Sequence, residues 1–225
     1  MSINQQDDEG NTQLINATFA NDSTLVASLL GLGANPSIQN TEEDTALHIA
    51  IFMENSGIVR LLLEGGANPN IHDILGRTPL NLFLINYENS PDKAIMNNIV
   101  RLLVKFGADV NEINDRGFAP LHMAILIGSQ ELVEILLSGG ANQNVEDLDG
   151  NNSLIFAIYQ GANEIVKLLI KSGAKNVQGN FLKTPLDWAR FYNMVDIVEI
   201  LFPMPVIYRS SGVRSLPEKA FSFTF

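Results

Sequence analysis

A short motif returns six times along this chain, and its return limits the fold more than any other feature. The hexapeptides TQLINA (12–17), TALHIA (45–50), TPLNLF (78–83), APLHMA (119–124), NSLIFA (152–157) and TPLDWA (184–189) carry Leu third and, in all but one, Ala sixth. Starts at 12, 45, 78, 119, 152 and 184 give spacings of 33, 33, 41, 33 and 32 residues. Two further markers keep the same register. An aliphatic pair follows each start by thirteen and fourteen residues (Leu25-Val26, Ile58-Val59, Leu132-Val133, Ile165-Val166, Ile197-Val198), displaced by eight in the third unit to Ile99-Val100. Gly-Ala then closes five units, at Gly33, Gly66, Gly107, Gly140 and Gly173. A unit this short cannot bury its own apolar side, so its stability has to come from stacking on its neighbours.

The local chemistry predicts two helices per unit. Thr at the start can cap the free N–H groups of a helix, and Pro79, Pro120 and Pro185 then fall at its first position, where the missing N–H costs nothing. Segments such as VRLLLEGGA (59–67) and VEILLSGGA (133–141) are apolar at i, i+3 and i+4, with Gly to permit a left-handed stop. The connecting NPNIHDILGR (68–77) and DVNEINDRGF (109–118) are rich in turn-forming Asn, Asp and Gly. This three-part signature resembles the ankyrin repeat. The resemblance implies an all-α solenoid of six helix-turn-helix repeats joined by β-hairpin fingers, with a concave face that binds protein or peptide ligands. It also implies that His48 and His122, at the fourth hexapeptide place, brace neighbouring turns, and that Asn70, Asn111 and Asn144 link adjacent fingers.

The expected organisation is an N-terminal extension (1–5), a repeat domain (6–203) and a C-terminal tail (204–225). The eight extra residues of the third repeat fall around 85–98, where Ser, Pro and charged residues suit a surface loop or an extended helix end. Pro203 breaks the last helix, and the tail beyond it carries Val206, Ile207, Tyr208 and three terminal phenylalanines. Three roles compete for that tail: covering the outer face of the last repeat, a disordered segment, or a docking motif for another protein.

Composition excludes several kinds of chemistry. With 25 Asp and Glu against 14 Lys and Arg, the formal charge is -11, so nucleic acid would be repelled. No cysteine is present, which removes disulfides, cysteine-ligated metals and thiol nucleophiles. His72 stands alone, and Asp147 and Asp149 before Gly150 read as a turn, because Val145 and Phe156 would occupy ligand positions of a calcium loop. No nucleophile, acid and base form a recognisable set, so no catalytic residue, cofactor or metal is expected. The polar, acidic N-terminus and the lack of any apolar run of about 18 residues point to a cytoplasmic chain that spans no membrane, expected as a monomer.

In the ankyrin pattern, recognition falls to the end of each first helix and to the finger tips. By register these are Phe19; Phe52 and Met53; Leu126 and Ile127; Tyr159; Phe191 and Tyr192, with Ile85 and Tyr87 in the expanded repeat. The fingers add Ile74, Leu75, Phe118 and Leu148 beside Glu42, Asp44, Asp115 and Asp149. An apolar stripe with acidic tips suits an amphipathic, somewhat basic peptide or helix. The competing reading is that these side chains fill the layer between helices. Two further functions share the same fold: a substrate adaptor whose tail docks a ubiquitin-ligase-type assembly, and an effector delivered by an intracellular bacterium that acts on host proteins.

Overall fold

The structure, a computed structural model, describes residues 2–87, 92–179 and 183–202. Expectations for the tail 204–225, including its capping or docking role, lie outside the described residues. Each hexapeptide opens the first helix of a repeat: α1 Gln13–Phe19, α3 Ala46–Phe52, α5 Pro79–Asn86, α7 Pro120–Leu126, α9 Ser153–Tyr159 and α11 Pro185–Phe191. The aliphatic pairs lie in the second helices: α2 Ser23–Gly31, α4 Ser56–Glu64, α6 Lys93–Lys105, α8 Gln130–Ser138, α10 Asn163–Lys171 and α12 Val195–Leu201. First helices pack on first helices and second on second, so the repeats form two parallel layers with the core between them.

The caps follow from residue type. Thr12, Thr45, Thr78, Asn152 and Thr184 each accept a backbone N–H of the first turn. Among second helices, Asp22, Asn55, Asp92 and Ser129 do the same, whereas Ala162 and Met194 offer no side-chain acceptor to α10 and α12. A cap of this kind contributes about 1 kcal/mol, so the last two repeats begin their outer helices with less local support. At the other end, Gly33, Gly66, Gly107, Gly140 and Gly173 all take positive φ, and the following alanine N–H reaches back to the carbonyl five residues earlier, as Ala67 does to Leu62.

The fingers keep the closing backbone bond of a hairpin without a strand ladder: Asp7, Asn40, Asp73, Asn114 and Asp147 N–H each donate to the carbonyl four residues further on. Among the described residues only two isolated bridges occur, Gln6 with Thr12 and Glu146 with Asn152. The side chain of the same Asp or Asn adds to that closure. The Oδ1 atoms of Asp7, Asn40, Asp73, Asn114 and Asp147 each accept two backbone N–H groups, from residues two and four further on. With those donors satisfied locally, no ladder is required. The turn needs a left-handed residue, supplied by Gly10, Gly76, Gly117 and Gly150 and, in the second repeat, by Glu43 at φ +58°.

Adjacent repeats are tied by amides. Asn70 accepts from the Asp109 N–H and donates to Gly107 O; Asn111 accepts from Asn142 and donates to Gly140 O; Asn144 accepts from Lys175. His48 and His122 are buried, and their Nδ1 atoms accept the backbone N–H of Thr45 and Ala119. That leaves Nε2–H to donate to Arg77 O and Val145 O in the next finger, which fixes the neutral tautomer. Burial pushes both imidazoles below their ordinary pKa.

Of the two forms expected for the expanded repeat, a surface loop or an extended helix end, α6 takes the second. Residues 93–98 are helical: α6 has thirteen residues where α2, α4, α8 and α10 have nine. Met96 is 1% exposed, and Asn97 is buried beside it. The Tyr87 hydroxyl donates to Asn97 Oδ1, Asn97 Nδ2 donates to Glu131 Oε2, and Arg101 pairs with Glu131 at 2.9 Å. Tyr87, Met96 and Asn97 are therefore embedded, and Asn97 ties them to the fourth repeat, while Ile85 and residues 92–95 stay exposed.

Candidate binding groove

The first helices are only two turns long, and their last residues project past the layer that packs on neighbouring repeats. Phe19, Phe52, Met53, Ile85, Phe191 and Tyr192 are exposed there, Phe52 at 70% and Phe191 at 74%. Leu126, Ile127 and Tyr159 are half-buried, joining the middle of the stripe to the core. Tyr87 departs from its expected place. At 3% exposure it is interior, edge-on to Phe83 at 6.0 Å between centroids, with the Lys93 ammonium 4.3 Å from its ring. The lengthened α5 and α6 enclose it, so it cannot take part in recognition.

The fingers divide in the same way. Ile74, Leu75 and Leu148 are exposed, as is Ile113, which the sequence reading passed over although it precedes the turn-forming Asn114. Leu148 lies across the backbone of Gly117: a Cβ at Gly117 would come within 2.5 Å of Leu148 Cγ. Gly117 serves both that approach and the turn. Phe118 faces inward, edge-on to Phe156 at 5.6 Å and to His122 at 6.3 Å. It belongs to the layer between repeats rather than to a finger tip.

Exposed carboxylates border this face: Glu42, Asp115, Glu146 and Asp149 in the fingers, with Asp8 and Glu9 in the first turn. Arg77 pairs with Asp73 at 2.6 Å. Burial raises the Asp73 pKa, but hydrogen bonds and charge from Arg77 outweigh it and hold the carboxyl below its ordinary value. Asp44 moves the other way, raised by burial and by the nearby Asp73. His72 Nε2 and Glu112 Oε1 are hydrogen-bonded between the third and fourth fingers.

At the C-terminal end the stripe becomes a ring cluster. Tyr159 meets Trp188 edge-on at 4.9 Å and Tyr192 at 6.3 Å, while Trp188 and Tyr192 lie nearly parallel at 6.1 Å. Phe191 adds edge contacts to Trp188 and Tyr192. Trp188 was not among the expected recognition residues. It occupies the variable fifth place of the hexapeptide, one helical turn before Tyr192, and that spacing was the available signal. Burial raises the Tyr159 hydroxyl pKa, reinforced by Tyr192, Asp147 and Asp149.

Among the described residues, no group of three or more His, Asp or Glu side chains could hold a metal ion, and no helix is long and apolar enough to cross a membrane. What the site offers is a surface: apolar side chains at register-equivalent positions, bordered by negative charge. The fold and this surface define a helical repeat scaffold of the recognition type. A family model for ankyrin repeats matches residues 14–91, 73–147, 92–180 and 127–208, and the chain belongs to the ankyrin repeat family. Ankyrin repeats generally mediate protein–protein interaction and are generally non-catalytic. No curated protein matches the chain.

Proposed function

We propose that this protein binds a protein or peptide partner, without catalysis of its own, along the groove formed by the first-helix ends and the finger tips. It works as a monomer in the cytoplasm, and the partner is amphipathic and net basic. One observation carries this reading: Phe19, Phe52, Ile85 and Phe191 occupy the same register position in four repeats and all are exposed. Side chains recruited to fill the core would be buried at that position, as Leu14, Leu47, Leu80 and Leu121 are at the third hexapeptide place. Large apolar residues kept in water along one face are what a docking partner would cover. The bordering carboxylates favour a basic occupant.

The test is affinity capture with three proteins: the natural chain, a variant with Phe19→Ser, Phe52→Ser and Phe191→Ser, and a control with Leu25→Ser and Leu32→Ser on the second-helix layer, where both leucines are also exposed. All three should keep their helical content. The groove variant should lose the partner that the control retains. Equal retention by the groove variant, or equal loss by the control, overturns the reading.

A further inference from the structure

The apolar stripe is not uniform, and its two ends have different chemistry. Phe19 and Phe52 are exposed singly, whereas Tyr159, Trp188 and Tyr192 form one connected group of rings across the fifth and sixth repeats. Tyr159 stands at 71° to Trp188 and 87° to Tyr192; Tyr192 is exposed and the other two rings are half-buried. Aromatic faces carry partial negative charge and attract cations. Two carboxylates lie on the adjoining finger. Asp147 is held in place by accepting the backbone N–H groups of Asp149 and Asn151, and Asp149 is exposed. Both belong to the finger that leads into α9, the helix that ends at Tyr159, and both act electrostatically on its hydroxyl. Arg190, on the same helix as Trp188, has its guanidinium over Phe202, 5.8 Å from the ring centroid.

We propose that Tyr159, Trp188 and Tyr192, with Asp147 and Asp149 beside them, form a seat for an arginine side chain of the partner. The proposal rests on the groove reading and adds to it a fixed anchoring point and a required residue type. Arginine suits the site better than lysine, because its planar, weakly hydrated guanidinium can stack on a ring while its N–H groups donate to carboxylates at the edge. The rest of the stripe would then take the partner's apolar residues, which sets the direction in which the ligand lies.

Trp188 is the chain's single tryptophan, so its fluorescence reports on this seat directly. The full chain is titrated with a short amphipathic leucine–arginine peptide and with an analogue in which citrulline replaces every arginine, keeping the shape and removing the charge. The arginine peptide should shift Trp188 emission and saturate, and the citrulline peptide should bind roughly tenfold more weakly or worse. Tyr192→Ala, at an exposed position, should weaken arginine-peptide binding by a similar factor, Tyr192→Phe should largely restore it, and Asp149→Asn should weaken it.

Equal affinity for the citrulline peptide would overturn the seat, since shape alone would then suffice. Loss of binding with Phe52→Ser but not with Tyr192→Ala would also overturn it, while leaving the groove reading intact. Absence of saturable binding by either peptide overturns the seat as well, and the groove reading is then judged by the capture experiment alone.

Discussion

The second and third repeats share a signature and solve it differently. In the second, Thr45 caps α3, His48 bridges to the next finger, and α4 runs nine residues to its Gly-Ala stop. In the third, Asn81 replaces histidine, its Nδ2 donating to Glu112 O at 3.4 Å, and α6 runs thirteen residues. The second repeat leaves Phe52 and Met53 exposed; the third turns Tyr87 inward. An insertion in a solenoid is thus accommodated where a neighbouring repeat can satisfy it, here through Glu131. The added polar atoms of Tyr87 and Asn97 would otherwise be buried without partners, at a cost of about 1–3 kcal/mol each.

The sharpest test of that difference sets Met96→Ala against Phe52→Ala. Removing a fully buried side chain from the insertion should lower unfolding stability by about 2–5 kcal/mol. The exposed phenylalanine of the regular repeat should change it by roughly 0.5 kcal/mol or less. Denaturant unfolding of both variants decides it, and a small effect at Met96 would return the insertion to the status of a surface loop.

Tyr87→Phe should cost about 1 kcal/mol, because it strips Asn97 Oδ1 of its donor inside the packed insert. Adding Glu131→Gln tests the link across repeats: the two changes should prove non-additive in a double-mutant cycle, since they share Asn97.

Acid should distinguish the histidine-braced repeats from the asparagine-braced one. The folded imidazoles of His48 and His122 resist protonation, whereas the unfolded chain takes up protons near pH 6.5. Unfolded protein therefore binds more protons as pH falls below about 6.5, and stability declines until the lower folded pKa values are reached. The raised pKa of Asp44 acts in the opposite direction, nearer the carboxylate range. His48→Asn with His122→Asn, the residue used at position 81, should flatten the decline in urea midpoint between pH 7 and 5.

The smallest effect belongs to the turn. Glu43 holds a left-handed conformation that Gly76 provides in the third finger, so Glu43→Gly should be neutral to stabilising, by up to about 1 kcal/mol. Gly76→Glu should destabilise by a similar amount. Thermal unfolding of the pair checks both signs.

Much of this could be read in the chain beforehand. The positions of Thr, Pro and Leu mark the first helices and Gly-Ala the ends of five second helices, because caps, N1 prolines and left-handed glycines act through local backbone chemistry. The links made by Asn70, Asn111 and Asn144 are those the ankyrin resemblance implied. Leu126 and Tyr159 share the register of Phe52 and Phe191, and Ile127 that of Met53 and Tyr192, yet the structure half-buries them. Exposure depends on what neighbouring repeats bring alongside, and one repeat's sequence does not specify that.

The sequence by itself determined the number of repeats, their helices, the stops between them and the absence of cysteine chemistry, all of which rest on residues acting within a few positions of one another. Tertiary structure decided the rest. It turned Tyr87 and Phe118 inward, pinned the insertion through Asn97 to Glu131 in the following repeat, and brought Trp188 against Tyr159. Each of these outcomes joins side chains about ten to forty residues apart or settles which donor a buried acceptor finds, and such pairings exist only once the layers have stacked.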